Sequence, residues 1–239
     1  VIALIGDGLF QAQLSTVQKI LKKLNLLEER NISPNKEISA ADFKGLNYRQ
    51  IYEECLKEFF YDFRLSDQSL LLFTKGGRNE NNGYLNFCYY ECPINLISYI
   101  EFVAQEFGLS MFDEELDREI AVWGDFLRGD YEQYVSSMEF KKTVTPIRYD
   151  YKATDYREGI HPASHIHIGF ANEIRICTQR IMNPISFVLL ILRQRYPREW
   201  ERLLGLEDHP TWCRNVRGSI DLVSEEYFKG FDFLEMFMH

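Results

Sequence analysis

Four segments of this chain alternate apolar and polar side chains with a period of two, and this pattern restricts the fold more than any other feature of the sequence. Tyr61, Phe63 and Leu65 alternate with Asp62 and Arg64, and Ile147, Tyr149 and Tyr151 with Arg148, Asp150 and Lys152. Ile166, Ile168 and Phe170 alternate with His165, His167 and Gly169, and Ile174, Ile176 and Thr178 with Arg175, Cys177 and Gln179. Successive side chains on a strand point to opposite faces, so each segment predicts a strand with one apolar and one polar side.

Further strands are predicted at 70–73, where Ser66-Asp67 makes a hairpin with the strand before it, at 84–90, and at 136–143. The strands holding the alternating segments span 146–153, 165–170 and 174–179. Helices are predicted at 10–30, where Leu14, Val17, Ile20, Leu21, Leu24 and Leu27 recur at helical spacing, and from Asn47, with Gln50 at the capping-box position. Others are expected at 94–107, 113–127, from Asn183-Pro184, through Trp200–Leu204 after the break at Tyr196-Pro197, and at 224–236. Seven strands in hairpin-like succession, flanked by helices and without βαβ alternation, predict an α+β fold with an antiparallel or mixed sheet covered by helices. No linker or repeat divides the 239 residues, so the whole chain, 1–239, is expected to form a single domain.

A net charge of −9 disfavours broad, non-specific nucleic-acid binding, though it permits a local basic groove. The five cysteines are odd in number and form no CxxC pair, which fits a reducing cytoplasm. The apolar opening Val1–Ile5 stops at Gly6-Asp7-Gly8, far short of the ~20 residues that span a bilayer, so no membrane segment is expected.

The chemistry concentrates on one predicted sheet face. If the polar sides of neighbouring strands coincide, Arg148, Asp150, Lys152, His165, His167, Arg175 and Gln179 share it, and His161-Pro162 stiffens the approach. Imidazole is a general acid or base near neutral pH, and arginine binds phosphate and offsets developing charge, so the set suits phosphoryl or phosphodiester chemistry. His165 and His167 are alternatively metal ligands, with Asp150 or His161 completing an open site; neither metal nor cofactor is determined by the spacing. A structural role is the competing reading, since sheet-face histidines often only bond to backbone and arginines pair with surface acids. Asp113-Glu114-Glu115-Leu116-Asp117 reads as a helix start, Arg193, Arg195, Arg198 and Arg202 as a solvated face, Cys88 and Cys92 as core, and His209–Cys213 as a packed loop.

Several of these residues fall into a wider pattern: Pro146, Arg148, Tyr149, Asp150 and Tyr151; then His161, Pro162, His165, His167 and Gly169; then Arg175-Ile176, Pro184, Phe187 and Tyr196-Pro197. The chain thereby resembles an uncharacterised bacterial family, a domain of unknown function bearing His-Pro-x-x-His-x-His-x-Gly. The resemblance implies no named reaction; it implies a prokaryotic protein of the accessory kind found beside mobile-element or phage-defence genes.

Two expectations follow. One is a hydrolase acting on a phosphate-bearing ligand, nucleotide or nucleic-acid end in a bacterial defence system, with His165, His167 and Asp150 catalytic and Arg148, Arg175 and His161 binding substrate. The other is a non-catalytic subunit or antitoxin-like protein that docks a partner through aromatic-rich helices such as the Tyr227, Phe228, Phe231, Phe233, Leu234 and Phe237 stretch.

Overall fold

Seven antiparallel strands follow one another across a single sheet in the order of the chain: β1 (Leu27–Arg30), β2 (Phe63–Leu65), β3 (Leu70–Gly76), β4 (Tyr84–Tyr90), β5 (Ile147–Lys152), β6 (Ser164–Ile168) and β7 (Ile176–Cys177). The structure is a computed structural model that describes residues 5–34, 43–77, 82–110, 113–171, 174–205, 216, 218 and 220–234. The helices are α1 (Asp7–Lys23), α2 (Tyr48–Lys57), α3 (Tyr99–Glu106), α4 (Glu114–Trp123), α5 (Arg128–Ser137), α6 (Pro184–Arg195) and α7 (Pro197–Leu204). The class is therefore α+β, as the alternation requires.

Period-two patterning sorts the sheet into two faces. Phe63, Phe73, Leu85, Phe87, Tyr149, Tyr151 and Ile166 point to one side and form the main core with α1 and α6. Phe187 of α6 is the wedge, with its ring 6.0 Å from Phe73 and 5.8 Å from Phe87. Its helix starts where Asn183 and Ser186 cap each other's backbone reciprocally, with Pro184 at the first turn. On the opposite side Leu70, Leu72 and Cys88 are covered by Ile51, Tyr52 and Cys55 of α2, itself opened by the Asn47/Gln50 capping box. A third apolar cluster joins α3, α4 and α5 around Tyr99, Phe102, Val103, Leu116 and Tyr131.

The structure departs from the sequence reading at several places. The first helix stops at Lys23 rather than near 30: Asn25 adopts φ 57°, a left-handed turn that asparagine tolerates, and the chain reverses into β1. The expected strand at 136–143 is instead the end of α5 and an extended segment with one bridge, Ile94 to Phe140. Tyr131, Tyr134 and Val135, just before this segment, pack at helical spacing in the α3–α5 cluster and carry α5 to Ser137. The strand at 174–179 shrinks to Ile176–Cys177, and Phe170, expected in the core, is 40% exposed with its ring 5.5 Å from Tyr48. Gly169 at φ 90° breaks the alternation just before it. Trp123, expected beside Leu116 on the covered side of α4, is 46% exposed.

At the C-terminal end, turns and a short 3-10 helix, Gly230–Leu234, replace the start of the expected terminal helix. Asp232, 1% exposed, accepts hydrogen bonds from the Lys229 backbone and Tyr156, which ties this segment to the body. Residues 235–236 of that expected helix, Phe237 and His209–Cys213 lie outside the described residues.

Candidate active site on the polar sheet face

Strand register assembles the site. Across β3, β4, β5, β6 and β7 one row runs Thr74, Asn86, Asp150, His165, Cys177; the next runs Leu72, Cys88, Arg148, His167. Cross-strand neighbours lie about 5 Å apart on one face, so Asp150, Arg148 and both imidazoles must meet. The apolar side chains of α2 cover this face around Leu72 and Cys88, and the charged residues occupy its continuation towards β6.

Asp150 is the hub. Its Oδ2 accepts from Arg148 Nε at 2.7 Å and faces His167 Nε2 at 3.3 Å and His165 Nε2 at 3.9 Å. Asn86 Nδ2 donates to the other oxygen, Oδ1, and so sets the orientation of the carboxylate. Burial opposes ionisation of Asp150, but the hydrogen bond from His167, the Arg148 charge, Asn86 and His165 together hold its pKa at about 2. The carboxylate is therefore anionic at neutral pH.

His165 is buried, 3% exposed, and its Nδ1 lies 2.9 Å from the Pro162 carbonyl. A carbonyl only accepts, so Nδ1 carries the proton and Nε2 presents a lone pair towards Asp150. Desolvation drives the His165 pKa down to about 4, against the pull of Asp150, and the ring is neutral at pH 7. The His167 side chain is 12% exposed, and its ring centroid lies 4.8 Å from that of His165.

His161 is delivered from outside the sheet. A tight hairpin in which Arg157 and His161 exchange backbone hydrogen bonds turns at Gly159, φ 65°, and is held from below by Asp232 through Tyr156. A Cβ at Gly159 would sit 3.0 Å from Phe231, so the turn is both left-handed and tightly packed. The His161 ring lies 5.0 Å from His165 in an edge-on arrangement, and its buried Nδ1 has no hydrogen-bond partner among the described residues. Burial and then the Arg175 charge lower its pKa.

All three expected catalytic residues and Arg148 thus meet at one carboxylate, and His161 packs on the histidine pair. Arg175 is exposed and shares the parity of Cys177, opposite His165, but reaches the cluster through its charge on His161. Lys152 turns away to pair with Asp155 at 2.9 Å, and Gln179 lies beyond the end of β7, its carbonyl bonded to Val223 N. Asn86 is the participant not singled out from the sequence. A single amide within the apolar run Tyr84–Tyr90 was the available signal.

Asp150, His165 and His167 each offer one donor atom within 4.8 Å of the others, so they are the residues able to hold a metal among those described. Arginines expected on a solvated surface have assigned partners: Arg195 pairs with buried Glu91 at 2.8 Å, and Arg202 bonds the Leu24 carbonyl. Among the described residues no helix is long and apolar enough to cross a membrane.

Comparison with known proteins returns no matching curated protein and no matching solved structure. Residues 14–228, which hold every side chain of the site, match one family along their length; the chain belongs to the uncharacterized conserved protein family DUF2290.

Proposed function

We propose that the Asp150–His165–His167–Arg148 cluster is a hydrolytic site for a phosphate-bearing ligand, a nucleotide or nucleic-acid end. The observation that carries this reading is the convergence of two imidazoles and an arginine on one carboxylate oxygen. Arg148 spends only Nε on Asp150; its side chain is 47% exposed, and among the described residues its two Nη groups have no hydrogen-bond partner. They are able to receive phosphate oxygens, while the imidazoles and the carboxylate activate water. Hydrolysis forms a P–O bond from water and breaks the ester P–O bond, and the leaving oxygen takes up a proton. Arg175 and His161, at the rim, complete anion binding. A place in bacterial defence is part of the proposal and rests on the resemblance alone.

Purified protein assayed with bis(p-nitrophenyl) phosphate and with short single-stranded DNA and RNA should show turnover. Arg148→Ala and His167→Gln should each lower it about 100-fold, while the protein still unfolds cooperatively with a Tm no more than about 8 °C lower. Turnover that survives both substitutions, or no turnover on any of these substrates, refutes the reading.

A second reading has its own observation. At the junction of α4 and α5, Val122, Trp123 and Phe126 are 59%, 46% and 81% exposed, an arrangement suited to a protein partner. A non-catalytic subunit would form a stoichiometric complex with the product of a neighbouring gene, measurable by mass photometry and lost in Phe126→Ser. A complex that survives Phe126→Ser refutes docking at this junction.

A further inference from the structure

We propose that Asp150, His165 and His167 bind one divalent transition-metal ion. The role of the ion in catalysis rests on the hydrolytic reading above, but its binding does not.

The geometry is close to that of a bound site. Donor atoms held by one tetrahedral ion with bonds of about 2.1 Å lie about 3.4 Å apart. His167 Nε2 and Asp150 Oδ2 are 3.3 Å apart already, His165 Nε2 and Oδ2 3.9 Å, and no pair exceeds 4.8 Å. Side-chain rotation of about an ångström closes the set. The two strands that carry the ligands are paired residue against residue, Asp150 with His165 and Arg148 with His167, so backbone movement is unnecessary.

The surrounding contacts have the form that orients metal ligands. His165 gives its Nδ1 proton to the Pro162 carbonyl, which fixes the tautomer that leaves Nε2 as donor. Asn86 binds Oδ1 and leaves Oδ2 facing both histidines. Two imidazole nitrogens and one carboxylate suit Zn²⁺, Co²⁺, Mn²⁺ or Fe²⁺ better than Mg²⁺ or Ca²⁺, which take oxygen ligands. Three protein ligands leave a coordination position for water or a phosphate oxygen, and an ion there would acidify bound water. His161, whose Nδ1 has no partner among the described residues, borders the cluster next to His165.

Arg148 is the competitor. Its Nε occupies the Oδ2 that the ion requires, so binding displaces the guanidinium and releases it towards substrate. This exchange has a consequence that a merely structural Asp–His–Arg cluster lacks: removing the arginine should strengthen metal binding.

Chelator-treated protein titrated with Zn²⁺ and Co²⁺ by calorimetry should bind one ion, and Co²⁺ should develop the visible absorption of a nitrogen-ligated site. Asp150→Asn and His167→Gln, near in shape to the originals, should weaken binding at least about tenfold. Arg148→Ala should tighten it severalfold. Absence of one-to-one binding, or affinity unchanged in both Asp150→Asn and His167→Gln, overturns the site. Weaker binding in Arg148→Ala overturns the exchange. A bound ion in a protein without phosphodiesterase turnover would refute the hydrolytic reading and leave the metal site standing.

Discussion

Asp150→Asn in metal-free protein reports directly on the electrostatics of the cluster. The substitution keeps shape but places an amide NH2 group, a donor, where Oδ2 now accepts from Arg148 at 2.7 Å and faces His167 at 3.3 Å. The magnitude follows from the carboxyl pKa, about 2 in the fold against an ordinary 3.8. At about 1.36 kcal/mol for each pH unit, that difference corresponds to roughly 2 kcal/mol of native-state stabilisation. Arg148 is 47% exposed and its share is screened by solvent, so this figure is an upper value. Because the folded pKa lies below the unfolded one, the stabilisation is fully present above about pH 4, falls to about half near pH 3, and is lost as pH drops through 2. His165 contributes least of the four groups that hold the carboxyl down, so its own titration is a minor correction. Urea denaturation with chelator present should therefore show Asp150→Asn less stable than the parent by up to about 2 kcal/mol at pH 7, with a Tm lower by about 4–8 °C. The gap should narrow to about half by pH 3. An equal gap at both pH values, or one below about 0.5 kcal/mol at pH 7, would refute the hub role of this carboxylate.

Two further outcomes test the frame around the site. Tyr149→Phe removes a buried hydroxyl that accepts the Met182 backbone N–H at 2.9 Å and pairs with Ser164 at the same distance; leaving that donor unsatisfied should cost about 1–3 kcal/mol in urea denaturation, and a neutral substitution would show that the contact is dispensable. The Cys55 thiol, pushed up to about 12 by burial under α2, should stay unmodified by iodoacetamide at pH 8 until denaturant is added, as mapped by peptide mass; rapid labelling of the folded protein would contradict the packing of α2 on β3 and β4.

Much of the local structure was legible because it depends on neighbours in sequence. The capping box at Asn47 and the helix start at Asn183-Pro184 formed where the side chains dictate, and the register of β5 and β6 puts Arg148, Asp150, His165 and His167 on one side, as the alternation required. The misreadings arose where distant packing decided. The strand expected at 136–143 gives way because Tyr131, Tyr134 and Val135, just before it, pack against Tyr99 and Phe102 and carry α5 to Ser137. Leu27 continues the helical spacing of α1, and only the antiparallel partnership of β1 with β2 makes it a strand residue.

For the site itself, the one-dimensional pattern determined which side chains share a face, because a period of two is a property of the extended backbone. It could not determine which of them touch. Register does that, and register depends on the core packed on the other face, where Phe87, Tyr149 and Phe187 interlock and fix β4 against β5. That packing brings Asn86 of a distant strand to Asp150, sends Lys152 off to Asp155, and seats His161 against His165 through a hairpin anchored by Asp232 near the other end of the chain. The sequence by itself determined the residue types and their side of the sheet. Burial, the His165 tautomer and the meeting of three side chains at one carboxylate oxygen were decided by tertiary structure, since they depend on distances between segments that no local periodicity encodes.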